Sequence, residues 1–268
     1  GDYSVQLTVE TDAGCVADIT LGPARVYPKP EADFSDDIAN CLNDTTLFED
    51  LSSVENYPFD ELVAWNWNFA DGASSPAQDT IHVYAAHGFY GVELAVTTNN
   101  GCQDTLVQPV EIYPLPQVAF TVDTNLGCQP FRAWFTDLTT IPDPYLLTSW
   151  EWNFGDGPGT VSTRNPEHTY WDEDLGDFDT GIYSVSLEVT SANGCISDTT
   201  YVDYMIEYPK PDALFSVDPE RTDIIFPKFR ITDLASPNVV NWSYQWGDGA
   251  TANIPNPVHE YSDTGYYN

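Results

Sequence analysis

Cations are scarce in this chain: 8 Lys and Arg stand against 42 Asp and Glu, a formal net charge of −34 over 268 residues. So acidic a surface offers no footprint to nucleic acid or anionic lipid, which both need clustered positive charge. It also repels itself, and salt or divalent cations relieve that repulsion. A salty extracellular medium suits it, and so does bound Ca²⁺, which takes carboxylate and carbonyl oxygens. No apolar run approaches the roughly 18 residues of a spanning helix, so no membrane insertion by this segment is expected. A sustained 3.6-residue apolar period is missing too, which excludes long helices. The Gly-x-Ser-x-Gly and His-Glu-x-x-His signatures of common hydrolases are absent.

Aromatics are plentiful instead, with 8 Trp, 16 Tyr and 13 Phe, and so are turn formers, with 20 Pro and 17 Gly. They recur in order. Trp65-Asn-Trp-Asn-Phe-Ala-Asp71-Gly72, Trp150-Glu-Trp-Asn-Phe-Gly-Asp156-Gly157 and Trp242-Ser-Tyr-Gln-Trp-Gly-Asp248-Gly249 are three copies of one segment. Each Asp is followed by a His-x-Tyr: His82-Tyr84, His168-Tyr170 and His259-Tyr261. A Gly and an alternating strand come next, as in Gly88-Phe-Tyr90-Gly-Val92-Glu-Leu94-Ala-Val96. The same strand pattern begins at Gly181 and at Gly1. A Gly-Cys pair closes each of these strands, at Cys15, Cys102 and Cys195, and Tyr-Pro-x-Pro joints lie at 27–30, 113–116 and 208–211. A repeat of about 90 residues means an array of small domains.

The expected division is the last strands of one domain at 1–27, whole domains at 28–113 and 114–208, and the front of another at 209–268. Such a chain is either a piece of a longer one or is completed by a neighbour's strands. Period-two alternation, as at Tyr90, Val92, Leu94 and Val96, buries one strand face and wets the other. Asp-Gly and Asn-Gly pairs between strands read as turns. The fold class is therefore all-β, a series of sandwiches joined by short Pro-rich linkers. Two Pro around one residue stiffen each joint, which favours a rod over beads on a floppy string.

Trp-x-Phe-Gly-Asp-Gly, then Asn165-Pro166-Glu-His168-Thr-Tyr170 or Asn256-Pro257-Val-His259-Glu-Tyr261, then Gly-x-Tyr-x-Val-x-Leu-x-Val, resembles the PKD (polycystic kidney disease) domain over essentially the whole chain. The resemblance implies tandem immunoglobulin-like sandwiches. The joints and Gly-Cys endings resemble arrays in large surface proteins of Bacteroidetes, of the gliding-motility adhesin and type IX secretion cargo type. Ala70 departs from the pattern at the first Gly of Gly-Asp-Gly, and residues 76–84 lack the Asn-Pro, so a different turn geometry is expected there.

His82, His168 and His259 recur once per repeat, where three successive active sites are improbable; the expected role is to tie a loop to the sandwich. Asp71, Asp156 and Asp248 are expected to bond their own turns rather than a metal. Trp67 and Trp152 are expected core residues, and Trp65, Trp150 and Trp242 are read as packing rather than a sugar platform. The repeat breaks at 171–180, where Asp172, Glu173, Asp174, Asp177 and Asp179 crowd together. This is either a solvated acidic loop or a Ca²⁺ site with Asp172, Asp174, Asp177 and Asp179 as ligands. No other cofactor is required.

Five cysteines placed on the repeat suggest disulfides Cys41–Cys102 and Cys128–Cys195, each closing a loop of about 60 residues and worth about 4 kcal/mol in the chain-entropy account. Such bonds place the chain in an oxidising, extracellular or cell-surface setting. Ile225 stands where the front cysteine of the last repeat would align. Asp-Thr triplets at Thr45, Thr80, Thr105 and Thr199 resemble O-glycosylation sites of Bacteroidetes, and Asn43 and Asn241 begin Asn-x-Ser/Thr sequons. The function expected is non-enzymatic: a stalk, spacer or filament segment of a secreted or surface-anchored bacterial adhesin. Its partners would be neighbouring domains of the same long chain, with surface polysaccharide or other surface proteins as further candidates. The alternatives are a carbohydrate- or protein-binding module, or a spacer in a secreted hydrolase whose catalytic domain lies elsewhere.

Overall fold

A computed structural model describes all residues except 1, 37–39, 56–59, 172–178, 223–224, 226 and 268. Every regular element among the described residues is a β-strand. The chain forms two compact units: Gly1–Gln117 with Thr140–Thr148 and Thr190–Ser197, and Val118–Thr139 with Ser149–Val189 and Asp198–Asn268. Two loops of the second repeat thus belong with the first sandwich.

An antiparallel hairpin opens the chain, β1 (Asp2–Glu10) with β2 (Val16–Arg25). Tyr3, Val5, Leu7 and Val9 lie on one of its faces and are exposed. The first sandwich follows, with β3 (Phe34–Asp36), β4 (Thr45–Asp50), β5 (Leu62–Asn68), β6 (Ser74–Ser75), β7 (Thr80–Val83), β8 (Gly88–Thr98) and β9 (Gln103–Ile112). Its sheets have the orders β3-β4-β7 and β6-β5-β8-β9. The expected alternation is realised: Val92, Leu94 and Val96 of β8 point inward with Val110 and Ile112 of β9, against Phe34, Phe48, Trp67, Phe69 and Tyr84. Each such side chain contributes about 1.5–3 kcal/mol on burial.

The second sandwich repeats this plan with β10 (Phe120–Val122), β11 (Leu126–Cys128), β12 (Phe131–Asp137), β13 (Leu147–Asn153), β14 (Glu167–Tyr170), β15 (Gly181–Ser191) and β16 (Ile196–Tyr208). Its sheets are β10-β12-β14 and β11-β16-β15-β13. Trp152, Phe154, Val185, Leu187 and Val189 are buried as their counterparts are. The third repeat has β17 (Phe215–Asp218), β18 (Lys228–Asp233), β19 (Tyr244–Gln245), β20 (Thr251–Ala252) and β21 (Val258–Glu260), in sheets β17-β18-β21 and β19-β20. Beside them lies an open groove of about 1000 Å³, lined by Phe215, Val217, Phe229, Ile231, Tyr244 and Trp246 among others. In the first sandwich, the corresponding place is filled by β8 and β9.

The cysteine expectation is overturned. Cys41 bonds Cys195, while Cys15, Cys102 and Cys128 are free thiols. Strand geometry gives the reason. Cys41 bridges Tyr113, just past the end of β9, whereas Cys102 immediately precedes its start. Eleven extended residues span about 36 Å, against the roughly 4.4–6.8 Å between Cα atoms that a disulfide needs. Cys128 likewise pairs with Tyr208, the last residue of β16, and Cys195 precedes the first.

Candidate functional site: three copies of a pair of sheet ties

The repeated polar residues converge on two constellations, each made three times. In the first, the Asp-Gly turn after β5 carries Asp71, and β7 in the other sheet carries His82. Asp71 Oδ2 meets His82 Nε2 at 2.6 Å, and Asp71 Oδ1 accepts the Ala73 N–H at 3.0 Å. Phe69 stacks on the imidazole at 4.2 Å, Tyr84 meets its edge at 4.5 Å, and the Tyr84 hydroxyl donates to the Phe69 carbonyl at 3.3 Å. The aspartate therefore makes both the turn bond expected of it and the tie to histidine.

The other copies match. His168 and Asp156 meet at 2.7 Å, with Phe154 stacked on the ring at 4.0 Å and the Tyr170 hydroxyl donating to the Phe154 carbonyl at 3.4 Å. Here Pro158 stands where Ala73 donates in the first copy, and proline has no N–H to give. His259 and Asp248 meet at 2.7 Å, with Trp246 in the stacking position at 4.7 Å. The Tyr261 hydroxyl donates to the Trp246 carbonyl at 3.1 Å, and Asp248 accepts from Ala250 at 2.9 Å.

Burial pushes the Asp71 carboxyl up, but the Ala73 N–H and the His82 ring outweigh it and leave it below the ordinary value. The Ala250 N–H, aided by His259, does the same for Asp248. Both are ionised at neutral pH, so the imidazole Nε2–H donates to them.

Ala70 adopts φ of 63°, in line with Gly155 at 81° and Gly247 at 66°. The first turn thus keeps the shared left-handed conformation, contrary to the geometry change expected from the missing glycine. Asn68 and Asn153 accept the N–H two residues on, at 3.0 and 2.9 Å, and hold that conformation.

The second constellation joins the sheets through tryptophan. Trp65 on β5 donates its indole N–H to Asp50 on β4 at 2.7 Å; Trp150 does so to Asp137 and Trp242 to Asp233, both at 2.9 Å. The other oxygen of each aspartate accepts a backbone N–H two residues on: Ser52 at 3.0 Å, Thr139 at 2.8 Å and Ala235 at 3.0 Å. The backbone N–H of Asp137 and of Asp233 goes to Asn165 and Asn256, the Asn of the Asn-Pro pairs. In the first copy Asp79 takes that role for Asp50, at 2.9 Å. Asp137 is the most enclosed, its side chain fully buried, and Arg164 adds a bond to it at 3.0 Å while lying over Trp150 at 5.2 Å.

Sequence reasoning missed Asp50, Asp137 and Asp233. Each precedes a Leu, which was the available signal, but they fall 15, 13 and 9 residues before their tryptophans, so the loops between hide the repeat.

Trp67 and Trp152 are core residues as expected, with no exposed surface. Their indole N–H groups donate to the carbonyls of Ala77 at 2.9 Å and Thr163 at 3.0 Å, and Tyr244 in the third copy donates its hydroxyl to Pro255 at 3.1 Å. Of the acidic loop, Asp172, Asp174 and Asp177 lie outside the described residues, and Asp179 is exposed. Among the described residues no group of three His, Cys, Asp or Glu is arranged to hold a metal. Thr45, Thr80, Thr105 and Thr199 all fall in strands, β4, β7, β9 and β16. Two of their neighbouring aspartates have structural work: Asp79 as above, and Asp104, which pairs with Lys29 of the joint and accepts the Ala32 N–H at 2.9 Å.

The PKD domain family matches residues 27–113 and 116–206. The PKD1 domain of Vibrio anguillarum Epp is 26% identical, over 31% of this chain and 93% of that one, with a TM-score of 0.29. The PKD1 domain of the Vibrio cholerae metalloprotease PrtV is 25% identical over 31% of this chain and 96% of that one, at 0.28. The fibronectin(III)-like modules of Clostridium thermocellum CbhA are 11% identical over 67% and 94%, at 0.36. The chain belongs to the PKD domain family.

Proposed function

We propose that this chain is a non-enzymatic, force-carrying segment, a stalk, spacer or filament, of a secreted or cell-surface bacterial adhesin. One observation carries the reading. The histidines, aspartates and tryptophans that a catalytic or binding reading would recruit are spent on tying one sheet of each sandwich to the other. A tie that crosses from sheet to sheet resists their sliding apart, which is what a domain under tension must withstand. The residues 28–113 and 114–208 act as two such domains in series, flanked by parts of others at 1–27 and 209–268, with Pro-stiffened joints between. The disulfide supports an oxidising, extracellular location. Partners on this reading are neighbouring domains of the same kind.

Stretching single molecules, beside a glycan array, tests the proposal. With the Cys41–Cys195 bond reduced, so that the pull reaches both sandwiches, they should yield in all-or-none steps, His82→Ala should lower the force for the first of them, and the array should stay blank. Smooth extension at low force sinks the mechanical reading. Glycan capture lost on replacing exposed aromatics, with the sheet ties intact, would favour a binding module instead.

A further inference from the structure

The five cysteines fall into two structural classes. Cys15, Cys102 and Cys195 occupy one kind of hairpin tip. In each, the residue four earlier donates its N–H to the cysteine carbonyl at 2.9 Å: Thr11, Thr98 and Ser191. The hydroxyl of that residue accepts the cysteine N–H, at 3.2, 3.1 and 3.1 Å. A left-handed glycine precedes each cysteine, with φ of 78°, 80° and 87° at Gly14, Gly101 and Gly194. Cys41 and Cys128 form the second class, at the front of a sandwich. Each pairs in parallel with the tyrosine of a Tyr-Pro-x-Pro joint, Tyr113 or Tyr208. The residue after each cysteine donates its N–H to that tyrosine's carbonyl, Leu42 at 2.8 Å and Gln129 at 2.9 Å.

One member of each class is bonded. Cys41 is a front, Cys195 is the tip of the following repeat, and their Cα atoms are 5.6 Å apart across 154 residues of sequence. Both lie in the first compact unit, where the loops Thr140–Thr148 and Thr190–Ser197 hold the tip in place. The Tyr145 hydroxyl donates to Glu111 at 2.9 Å, its ring meets that of Tyr113 edge-on at 6.0 Å, and the Ala192 N–H of the tip donates to the Leu146 carbonyl at 2.8 Å. The bond therefore rests on a fitted seat made by the joint tyrosine and the tip turn. Those same two parts recur at the free cysteines.

We propose that Cys41–Cys195 is one link of a staggered series in which the front cysteine of each sandwich bonds the hairpin-tip cysteine of the next. Cys128 is then the front half of the following link. Cys102 and Cys15 are tip halves of the two preceding ones, each shaped to receive the front cysteine of another sandwich of this kind. Pairing within a sandwich is barred for Cys41 with Cys102 by the length of β9, and for Cys128 with Cys195 by that of β16. Ile225 takes the front position of the third repeat, so the series has no half there.

The step needs an oxidant of the low-molecular-weight disulfide class, RSSR. One protein thiolate attacks RSSR, forming a mixed disulfide and releasing RS⁻. The second protein thiolate attacks the protein sulfur of that mixed disulfide and releases the other RS⁻. Two protein thiols and RSSR thus become one protein disulfide and two RSH.

The test extends the chain after Asn268 with a copy of residues 5–27, because Gly265-Tyr-Tyr-Asn268 matches Gly1-Asp-Tyr-Ser4 in the repeat. The addition supplies the third repeat with a hairpin and a tip cysteine. After equilibration in a glutathione redox buffer, free thiols are alkylated and the linked peptides identified by mass spectrometry. Cys128 should pass from nearly complete alkylation in the unextended chain to nearly complete protection, linked to the appended tip cysteine. A Cys128 that stays alkylated while Phe215, exposed in the groove of the unextended chain, becomes buried, or that bonds Cys102 or Cys195, overturns the series. A second variant does not depend on the appended hairpin folding: in the unextended chain, Cys41→Ser should leave Cys195 free to alkylation. A Cys128–Cys195 bond in that variant overturns the proposal.

Discussion

Reducing the Cys41–Cys195 bond should more than double the length of the fully stretched chain, since it hides a separation of 154 in 268 residues. In the oxidised chain a pull on the two ends passes from Cys41 directly to Cys195, and the 153 residues 42–194 lie inside the closed loop (195 − 41 − 1). At roughly 3.3–3.6 Å per extended residue, the 154-residue separation hides about 510–550 Å. Optical tweezers with handles at the two termini would read this as a difference in contour length after all sandwiches have yielded, before and after adding reductant. Cys41→Ser should reproduce the long form without reductant, and Cys102→Ser should leave the short form unchanged. If the bond were instead Cys41–Cys102, the hidden length would be about 200–220 Å on the same scale, well separated from the expected value. A gain near that smaller figure, or a short form that survives Cys195→Ser, would refute the assignment. The same loop closure disfavours the unfolded chain by about 5 kcal/mol in the chain-entropy account.

Asp137→Asn puts an amide where a carboxylate serves three donors, the indole of Trp150, the guanidinium of Arg164 and the Thr139 N–H. Arg164 is more than half exposed and can turn to water, so the expected loss is about 2–3 kcal/mol from the enclosed donors, read as a lower urea midpoint for the second sandwich; a loss under about 0.5 kcal/mol would show that the tie carries nothing. Gly155→Ala should cost more than the ~1–2 kcal/mol of a left-handed alanine, because its Cβ would lie 2.4 Å from the Ser184 carbonyl oxygen. Ala70→Gly should do the opposite and raise the melting temperature of the first sandwich, and a fall would contradict the strain argument. Asp71 and Asp248 titrate below their ordinary value in the folded chain, so their contribution is complete above about pH 4 and is lost as pH falls further. Thermal melts against pH should therefore steepen below that point, and Asp71→Asn should flatten the change for the first sandwich. Tyr84 and Tyr170 have phenol pKa values raised chiefly by burial. They favour the folded state increasingly little as pH rises beyond the ordinary tyrosine value of about 10. An ultraviolet titration should show a tyrosine class that ionises only on unfolding, and a single reversible step for all of them would oppose it.

The architecture was legible because burial and spacing leave few alternatives. An alternating strand such as Tyr90–Val96 can bury only one set of side chains, and Val92, Leu94 and Val96 are that set. The His–Asp ties were half legible. Repetition argued for a structural histidine, and the Asp-Gly pair argued for a turn, but nothing in the chain order says that the turn of one sheet faces a strand of the other. That fact is a property of the sandwich. The Trp–Asp ties were less legible still, since Asp50, Asp137 and Asp233 stand before loops of unequal length and the repeat dissolves there. Ala70 misled in the other direction. Substituting glycine leaves the turn intact because Asn68 and Asp71 each accept an N–H inside it and together fix the conformation.

The cysteines show why a repeat locates residues more reliably than it pairs them. Two cysteines per domain, one near the front and one near the end, invite a bond inside the domain, and loop length puts no bar on it. Strand direction does. The Gly-Cys turn stands at the start of the last strand, and the Tyr-Pro-x-Pro joint stands at its finish, so a front cysteine beside the joint is a full strand away from its own domain's tip. The tip of the following repeat, by contrast, is held beside that joint by Tyr145, which packs on Tyr113, and by Leu146, whose carbonyl takes the Ala192 N–H. A bond placed there encloses the joint Tyr113–Pro116 in a covalent loop, so the joint cannot be drawn straight by a pull on the ends. On the proposed load-bearing role, the disulfide takes the joint out of the path of the pull together with the rest of residues 42–194, and leaves the bond itself to carry it.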